Sequence, residues 1–481
     1  MKVLFIQANS TLDTLIPPNL ATMSACLKQE GIDVKLFDTT FYKTREITGD
    51  DARVETLQVK ETNFEDLGIH LNKTNMVDDF INTVFDYSPD LIGLSAVSLT
   101  YKMGMQLLDS VCDMTIPTII GGVHATVCTK DVIKEPCIDY VCVGEGEEAL
   151  VELCKRLEDN KPTHDIKNIW TKKGSNPVRA PIDINKLPFQ DWDIFEERRQ
   201  YKPMGGKIRK TACIELNRYC PFKCSYCTNE FFHNMYKNKN YREKKVDNFI
   251  AEALYLKEKY GIEYIYISAE SFLVTSNKRF EEFIKKYPQV GLPFWLETRP
   301  ESVTDEKISK LKSIGCESMN IGIESGNPEL RANLLNRKMT DQQIIDAVRI
   351  IKKHKIRIGA NSIIGFPTET RSQIFDTINL NRKANPDNIM IHPFNPYQGT
   401  RLYDLCVKKG YIDNGTLGGD YRSDFLMNMP QISNRELKGL HRTFALYVKF
   451  PKERWQEIKR AEQDDYHFKL LAEEYKEKYL A

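Results

Sequence analysis

The sequence predicts an α/β protein: an N-terminal doubly wound parallel sheet, Rossmann-like, followed by a partial (β/α)6 barrel and a helical C-terminal region. Three observations predict it. Short, nearly continuous apolar runs alternate with amphipathic stretches in two separate series, a proline-rich interval divides the series, and strand character ends near residue 413. With 481 residues, 41% of them hydrophobic, the chain can build two or three cores of ordinary size.

The first series occupies residues 1–158. KVLFIQ opens it as a strand, a helix follows around Asn19 to Glu30, and DVKLF at Asp33 to Phe37 is the next strand. Leu91 to Val97, Pro117 to Ile120 and Asp139 to Val143 complete it, each nearly all apolar, as strands covered by helices on both faces should be. From 159 to 206, Pro162, Pro177, Pro181, Pro188 and Pro203 interrupt any long periodicity, so this interval reads as a wrapping linker. The second series, within 207–413, has six strands: Thr211 to Leu216, Glu263 to Ser268, Phe294 to Thr298, Ser318 to Ile323, Ile356 to Ile364 and Asn388 to Pro393. Helical segments such as Val246 to Tyr260, Asp305 to Ser313 and Asp341 to His354 separate them. An incomplete barrel follows, with its site at the C-terminal strand ends. Residues 414–481 are helical, charged and aromatic, and are expected to cap the barrel.

Composition narrows the function. Lys plus Arg number 68 and Asp plus Glu 67, so no general field draws in nucleic acid or an anionic membrane. The apolar start MKVLFIQ is too short for a signal peptide, and no run approaches the roughly 18 apolar residues of a membrane span. A cytoplasmic protein is expected. Nine of the twelve cysteines are scattered, unlike a secreted disulfide framework, which suggests a reducing compartment.

The other three cysteines form one tight group. IELNRYCPFKCSYCTNE places Cys220, Cys224 and Cys227 in a CxxxCxxC loop after the first barrel strand. Three thiolates can hold three irons of a 4Fe-4S cluster and leave the fourth open to a ligand. The competing reading is structural zinc, with Cys213 or His233 as fourth ligand, although zinc cysteines usually come as two knuckles and only one is present.

CxxxCxxC at this place in a βα barrel resembles the radical S-adenosylmethionine superfamily. The resemblance implies that the open iron binds S-adenosylmethionine and that an electron cleaves it to methionine and a 5′-deoxyadenosyl radical, which abstracts hydrogen from substrate. It also implies cofactor contacts from SAES at Ser268 to Ser271, with Glu270 the candidate although the common Gly-Gly-Glu form is absent. Further contacts are implied at GIESG (Gly322 to Gly326), with Glu324 and Ser325, and at ANSIIGFPTET (Ala360 to Thr370), with Asn361. Arg299, in ETRP at the third strand's end, is read either as balancing a carboxylate or as an ordinary salt bridge.

In the first series, Ser95 ends one strand in GLSAV and Gly121 and Gly122 end the next in IIGGVH, with VCVGEGEEAL after them. A Gly pair lets a flat ligand approach the backbone. Spacing and domain order resemble the cobalamin-binding domains joined to radical S-adenosylmethionine barrels. That resemblance implies contacts to cobalamin from Ser95, Val97, Ser98, Gly121, Gly122, His124, Gly144 and Glu145. The DxHxxG motif of many cobalamin carriers is broken: Thr40 stands where the histidine would follow Asp38, and Lys43 replaces the glycine. Cobalt is therefore expected to lack a histidine below it, with His124 anchoring backbone or contacting the nucleotide tail.

The resemblance implies three cofactors: a 4Fe-4S cluster, S-adenosylmethionine and cobalamin. Its commonest chemistry is methylation of an unactivated carbon, here of a small molecule or natural-product intermediate, with electrons from a donor such as flavodoxin or ferredoxin. A cyclisation or rearrangement without methyl transfer uses the same cofactors. Methylthiolation needs a second cysteine motif that Cys26, Cys112 and Cys128 do not form. A noncatalytic zinc or cobalamin-binding protein is the reading from another class. Tyr397, Tyr421 and Arg422 are candidates to line a substrate pocket.

Overall fold

The computed structural model describes residues 1–480, and the chain divides into two compact units. One comprises Met1–Thr48, Asn63–Lys202 and Asn234–Arg242; the other comprises Gly49–Thr62, Pro203–His233 and the chain from Glu243 onward.

The first unit is built on β1 (Lys2–Gln7), β2 (Asp33–Asp38), β3 (Leu91–Ser95), β4 (Thr118–Gly121), β5 (Tyr140–Cys142) and β6 (Ile169–Thr171). They lie in the order β2-β1-β3-β4-β5-β6. The first five are parallel and β6 is antiparallel to β5. Val3, Leu4, Phe5 and Ile6 are all buried, as a strand sandwiched between helix layers requires. Strand order reverses between β1 and β3, which makes the C-terminal ends of these strands the usual ligand crevice of such a sheet.

Two features here had no signal in the sequence. Within the proline-rich interval, β6 forms beside Asn168, whose Nδ2 donates to the Val143 carbonyl at 2.7 Å. Cys112 and Cys137 form a disulfide, a pairing that the expectation of a reducing compartment did not include.

The second unit contains β7 (Lys207–Glu215), β8 (Tyr264–Ser268), β9 (Phe294–Thr298), β10 (Cys316–Glu324), β11 (Arg357–Ile364) and β12 (Asn388–Pro393). They pair in parallel in chain order. Helices Val246–Tyr260, Asn277–Lys286, Asp305–Ser313, Asp341–Lys353 and Arg371–Ala384 separate them. Local chemistry fixes the helix starts: Thr340 with Gln343, Thr370 with Gln373 and Ser433 with Glu436 each form a reciprocal capping box. Along β12, Ile389 and Ile391 are buried while Asn388, Met390 and His392 on the opposite face are only partly covered.

Six parallel strands do not close a barrel, so the far edge of β12 needs partners for its backbone. At Ile391 they come from side chains. Gln58 Nε2 donates to the Ile391 carbonyl at 2.9 Å, the Ile391 N–H donates to Gln58 Oε1 at 3.1 Å, and His441 Nε2 lies 3.1 Å from the same carbonyl. His441 belongs to helix Asn434–Lys449, which buries Leu437, Leu440, Phe444 and Leu446 in a core shared with Leu57, Ile389 and Ile391. Helix Asn434–Lys449 thus covers the β12 edge, and Gly49–Thr62, from the N-terminal part of the chain, helps it. No helix among the described residues is long and apolar enough to cross a membrane.

Gln58→Ala should leave the Ile391 N–H and part of its carbonyl unsatisfied in a dry interior, at a cost of about 1–3 kcal/mol. The expected outcome is a lower denaturant midpoint for the barrel unit; an unchanged midpoint contradicts it.

Candidate active site

The loop after β7 is held by its own side chains. Glu215 pairs with Arg218 at 2.8 Å, and Tyr219 adopts a left-handed backbone with its ring 4.8 Å from Phe232. Asn229 then ties the two ends of the cysteine loop together: its Oδ1 accepts from the Cys220 N–H at 3.2 Å, and its Nδ2 donates to Cys227 Sγ at 3.4 Å. Cys220, Cys224 and Cys227 consequently line one cavity of about 200 Å³, with Glu270, Glu297, Arg299, Glu324, Arg337 and Asn361. Neither Cys213 nor His233 lines it.

The charges around the sulfurs are specific. Arg299 Nη1 lies 3.5 Å and Arg337 Nη1 3.8 Å from Cys224 Sγ, so two guanidiniums stand beside that sulfur. Arg299 also pairs with Glu301 at 2.6 Å and covers the Phe222 ring at 3.9 Å, so it serves both as a salt bridge and as a neighbour of sulfur. Burial pushes the Cys220 thiol up to about 11 and the Cys227 thiol up to about 12. Bare thiolates are disfavoured at both, and a bound cation is what would displace their protons. Among the described residues no three His, Cys, Asp or Glu side chains are gathered for a single metal ion. Three thiols lining one cavity are the donor type that holds an iron-sulfur group.

Three carboxylates face the same cavity. Burial raises Glu270 above the ordinary range, although its carboxylate meets the cavity opening. Glu297 is raised to about 8, first by burial and then by Glu270 and Glu324. Glu324 sits at a bulge between β10 and β11 with φ +63°, and its Oε1 lies 3.7 Å from Arg337 Nη1. A Cβ on Gly322 would come within 2.2 Å of Glu324 Oε1, so the glycine makes room for that carboxylate. Asn361 faces the cavity from β11. Ser325 does not: it is fully buried, its hydroxyl accepts from the Asn327 N–H at 3.2 Å, and its carbonyl accepts from Arg331.

The structure adds Glu297, Arg337 and Asn229 to the residues expected. Glu297 had a signal, since strand alternation within ETRP puts it on the interior face two residues before Arg299. Arg337 lies in a loop without periodicity and had none.

In the first unit, Ser95, Gly121 and Gly144 stand at or just beyond the C-terminal ends of β3, β4 and β5. Ser95 Oγ accepts from Asn19 at 3.1 Å. Gly122 has φ +96°, and a Cβ there would lie 2.6 Å from the Ala96 carbonyl oxygen, so only glycine fits. Gly144, at φ +85°, is closed against the Tyr236 hydroxyl in the same way. Val97 and Val123 remain exposed beside this glycine pair, an apolar rim suited to a flat ligand. His124 is buried, its ring 4.2 Å from Tyr101 and its Nδ1 3.3 Å from Ser98 Oγ. Burial lowers it to about 4, which keeps it neutral. Glu145 is held by Arg242 and by the Ile182 N–H at 2.8 Å, the pattern of a structural carboxylate.

Thr40 completes a closed network rather than an open ligand position. Its hydroxyl donates to Asp38 at 2.6 Å and accepts from Asn9 at 2.8 Å, while Arg199 reaches Asp38 at 2.8 Å. A larger surface groove, of about 660 Å³, runs past Glu30, Glu152, Lys155 and Arg156. Lys155 pairs with Glu30 and Arg156 with Glu152 there, and none of the expected site residues borders it.

Comparison with known proteins agrees with this geometry. The pattern of the Radical SAM superfamily matches residues 214–380, and that of the B12 binding domain matches residues 8–154. An uncharacterised methyltransferase of Pyrococcus horikoshii is 28% identical over 349 residues, 69% of this chain and 73% of its own length. The anaerobic magnesium-protoporphyrin IX monomethyl ester cyclase of Cereibacter sphaeroides is 26% identical over 66% of this chain and 53% of its own. Among solved structures, the radical S-adenosylmethionine methyltransferase TsrM from Kitasatospora setae, with cobalamin and a [4Fe-4S] cluster bound, matches with a TM-score of 0.65 at 14% identity. The match covers 96% of this chain and 98% of that one, and the likeness is one of fold.

Glu297 supplies a pH signature. Its folded pKa of about 8 lies above the ordinary 4.5, so the neutral carboxyl is favoured in the folded protein and ionising it costs stability as pH rises from about 4.5 to about 8. Glu297→Gln should remove that slope in cofactor-free protein, a gain on the order of 2–4 kcal/mol at the alkaline end. Denaturant midpoints across this window check it, and parallel pH profiles for parent and variant would contradict it.

Proposed function

Because the chain belongs to the Radical SAM superfamily and carries a B12 binding domain ahead of its barrel, we propose that it is a cobalamin-dependent methyltransferase acting on an unactivated carbon of a small-molecule substrate. The observation that carries this reading is the single cavity in which three loop cysteines face Glu270, Glu297, Glu324 and two arginines. Cys220, Cys224 and Cys227 hold the cluster, and Glu270, Glu324 and Asn361 face S-adenosylmethionine. Ser95, Val97, Ser98, Gly121 and Gly122 border cobalamin, with His124 neutral behind them and Gly144 shaping the loop. When bound, the cluster supplies the electron that cleaves S-adenosylmethionine and cobalamin supplies a methyl carrier.

The chain's own residues set the conditions for that chemistry. Arg299 and Arg337 place two positive charges beside Cys224, where an anionic cluster would sit. Glu297, neutral over much of the physiological range, can donate a hydrogen bond where a carboxylate would repel a ligand's own carboxylate. The closed Thr40–Asp38–Arg199 network means that no histidine from the β2 end would help hold cobalamin. In this reading residues 1–158 carry cobalamin, 159–206 connect, 207–413 carry the radical chemistry and 414–481 cover the barrel. An oxygen-sensitive site of this kind suits the cytoplasm, with flavodoxin or ferredoxin as electron source.

The likeness to the magnesium-protoporphyrin ester cyclases supports a second reading, cyclisation or rearrangement with the same cofactors and no methyl transfer.

Anaerobic protein, reconstituted with cluster and cobalamin and given S-adenosylmethionine and dithionite, should form 5′-deoxyadenosine, and Cys224→Ala should form essentially none. S-adenosylhomocysteine beside the deoxynucleoside selects methyl transfer, and its absence under turnover with substrate selects rearrangement. Zinc in place of iron, or no deoxynucleoside from protein verified to hold the cluster, would sink both readings.

A further inference from the structure

A second group of polar side chains inside the barrel unit lies outside the cysteine cavity. Arg53, on helix Gly49–Glu55, donates from Nη2 to the Tyr421 hydroxyl at 3.3 Å. Its pairing with Asp50 is long, at 3.4 Å, and its Nε is buried without a partner. The His392 ring, at the end of β12, is 5.5 Å from the Tyr421 ring and hydrogen-bonds the backbone at Tyr421, which leaves Nδ1 buried and without a partner. Arg422 lies over the Tyr421 ring at 5.0 Å and 3.8 Å from Asp420. Its guanidinium fills the place of a side chain on Gly49, where a Cβ would come within 1.1 Å of Nη1. The helix that brings Arg53 is therefore fitted around Arg422.

This group faces the barrel interior. Ile363 on β11 pairs with His392 as Asn361 pairs with Met390, so His392 shares the face of Asn361 and sits roughly 7 Å further toward the C-terminal strand ends. On the strand at the other side of the unit, Tyr266 of β8 stacks on Trp295 at 4.2 Å. Arg53, His392 and Tyr421 each keep part of their surface open. The charges of Arg53 and Arg422, added to burial, hold the His392 imidazole neutral. With the ring's other nitrogen engaged at the Tyr421 backbone, Nδ1 is an acceptor in a positive field.

We propose that Arg53, Tyr421 and His392 anchor the substrate: Arg53 and the Tyr421 hydroxyl take an oxyanion, a carboxylate or a phosphate, and His392 Nδ1 accepts a hydrogen bond from a hydroxyl or amine beside it. This rests on the radical-enzyme reading for its purpose, but the anion site can be tested separately. The anchor lies beyond the S-adenosylmethionine face, so it holds a substrate by its acidic end while a carbon further along is presented to the cysteine cavity.

Reconstituted protein without S-adenosylmethionine or reductant is titrated calorimetrically with inorganic phosphate and, separately, with acetate, at ionic strength fixed by sodium chloride. Saturable binding of one of the two is expected, phosphate marking a phosphorylated substrate and acetate a carboxylic acid. Arg53→Gln should weaken it about tenfold, as the loss of a charge-assisted hydrogen bond does. Tyr421→Phe should weaken it in the same direction and serves if the arginine variant does not fold. No saturable binding of either anion, or equal affinity in both variants, overturns the proposal. Formation of 5′-deoxyadenosine by the same preparation keeps the two readings apart. The deoxynucleoside without anion binding removes only the anchor, and anion binding without the deoxynucleoside removes only the radical chemistry.

Discussion

A parallel sheet that curls without closing leaves one strand with a row of unpaired donors and acceptors, and the barrel unit depends on how that row is satisfied. Here the last strand, β12, is met at Ile391 by an amide from Gln58 and an imidazole from His441. An amide side chain matches a peptide group donor for acceptor, so one residue imitates a stretch of neighbouring strand without adding one. The apolar face of helix Asn434–Lys449 then excludes water from these bonds. Because β12 is held, β11 beside it is held too, and with it Asn361 on the cavity wall.

Within the cavity a low dielectric acts on several ionisable groups. It raises the thiols of Cys220 and Cys227 and the carboxyls of Glu270 and Glu297, disfavouring negative charge. Arg299 and Arg337 bring two positive charges to the same wall, beside Cys224. The result is a site in which the Cys220 and Cys227 thiols are protonated unless a metal intervenes and the Glu297 carboxyl is neutral near physiological pH. Such a wall suits an anionic iron-sulfur group and a zwitterionic ligand better than it suits bulk water.

The strands and the cysteine loop were legible because their signals are local. Phe294–Thr298 and Asn388–Pro393 are apolar enough to be bounded correctly from composition, and CxxxCxxC needs only its own spacing. What was hidden depends on distant partners. Gly49–Thr62 is a polar stretch of unremarkable appearance until β12 is placed beside Gln58. Arg337 gains its meaning from Cys224, and Cys112 from Cys137, across chain separations that leave no periodic trace. Ser325 shows the opposite error: a motif residue expected to face a cofactor is spent on its own turn. Thr40 shows why a broken motif can still fold, since its hydroxyl takes up the hydrogen bonds left at Asp38.

The bond between Gln58 and Ile391 spans 333 positions of chain. During synthesis at ordinary ribosomal rates, on the order of tens of seconds pass between the emergence of its two partners. Throughout that interval residues 49–62 have no native place, and the earlier strands of the barrel can pair while their final edge does not yet exist. Assembly of this edge therefore includes the return of an early segment to a late strand, and until β12 emerges that segment is available to other sheet edges.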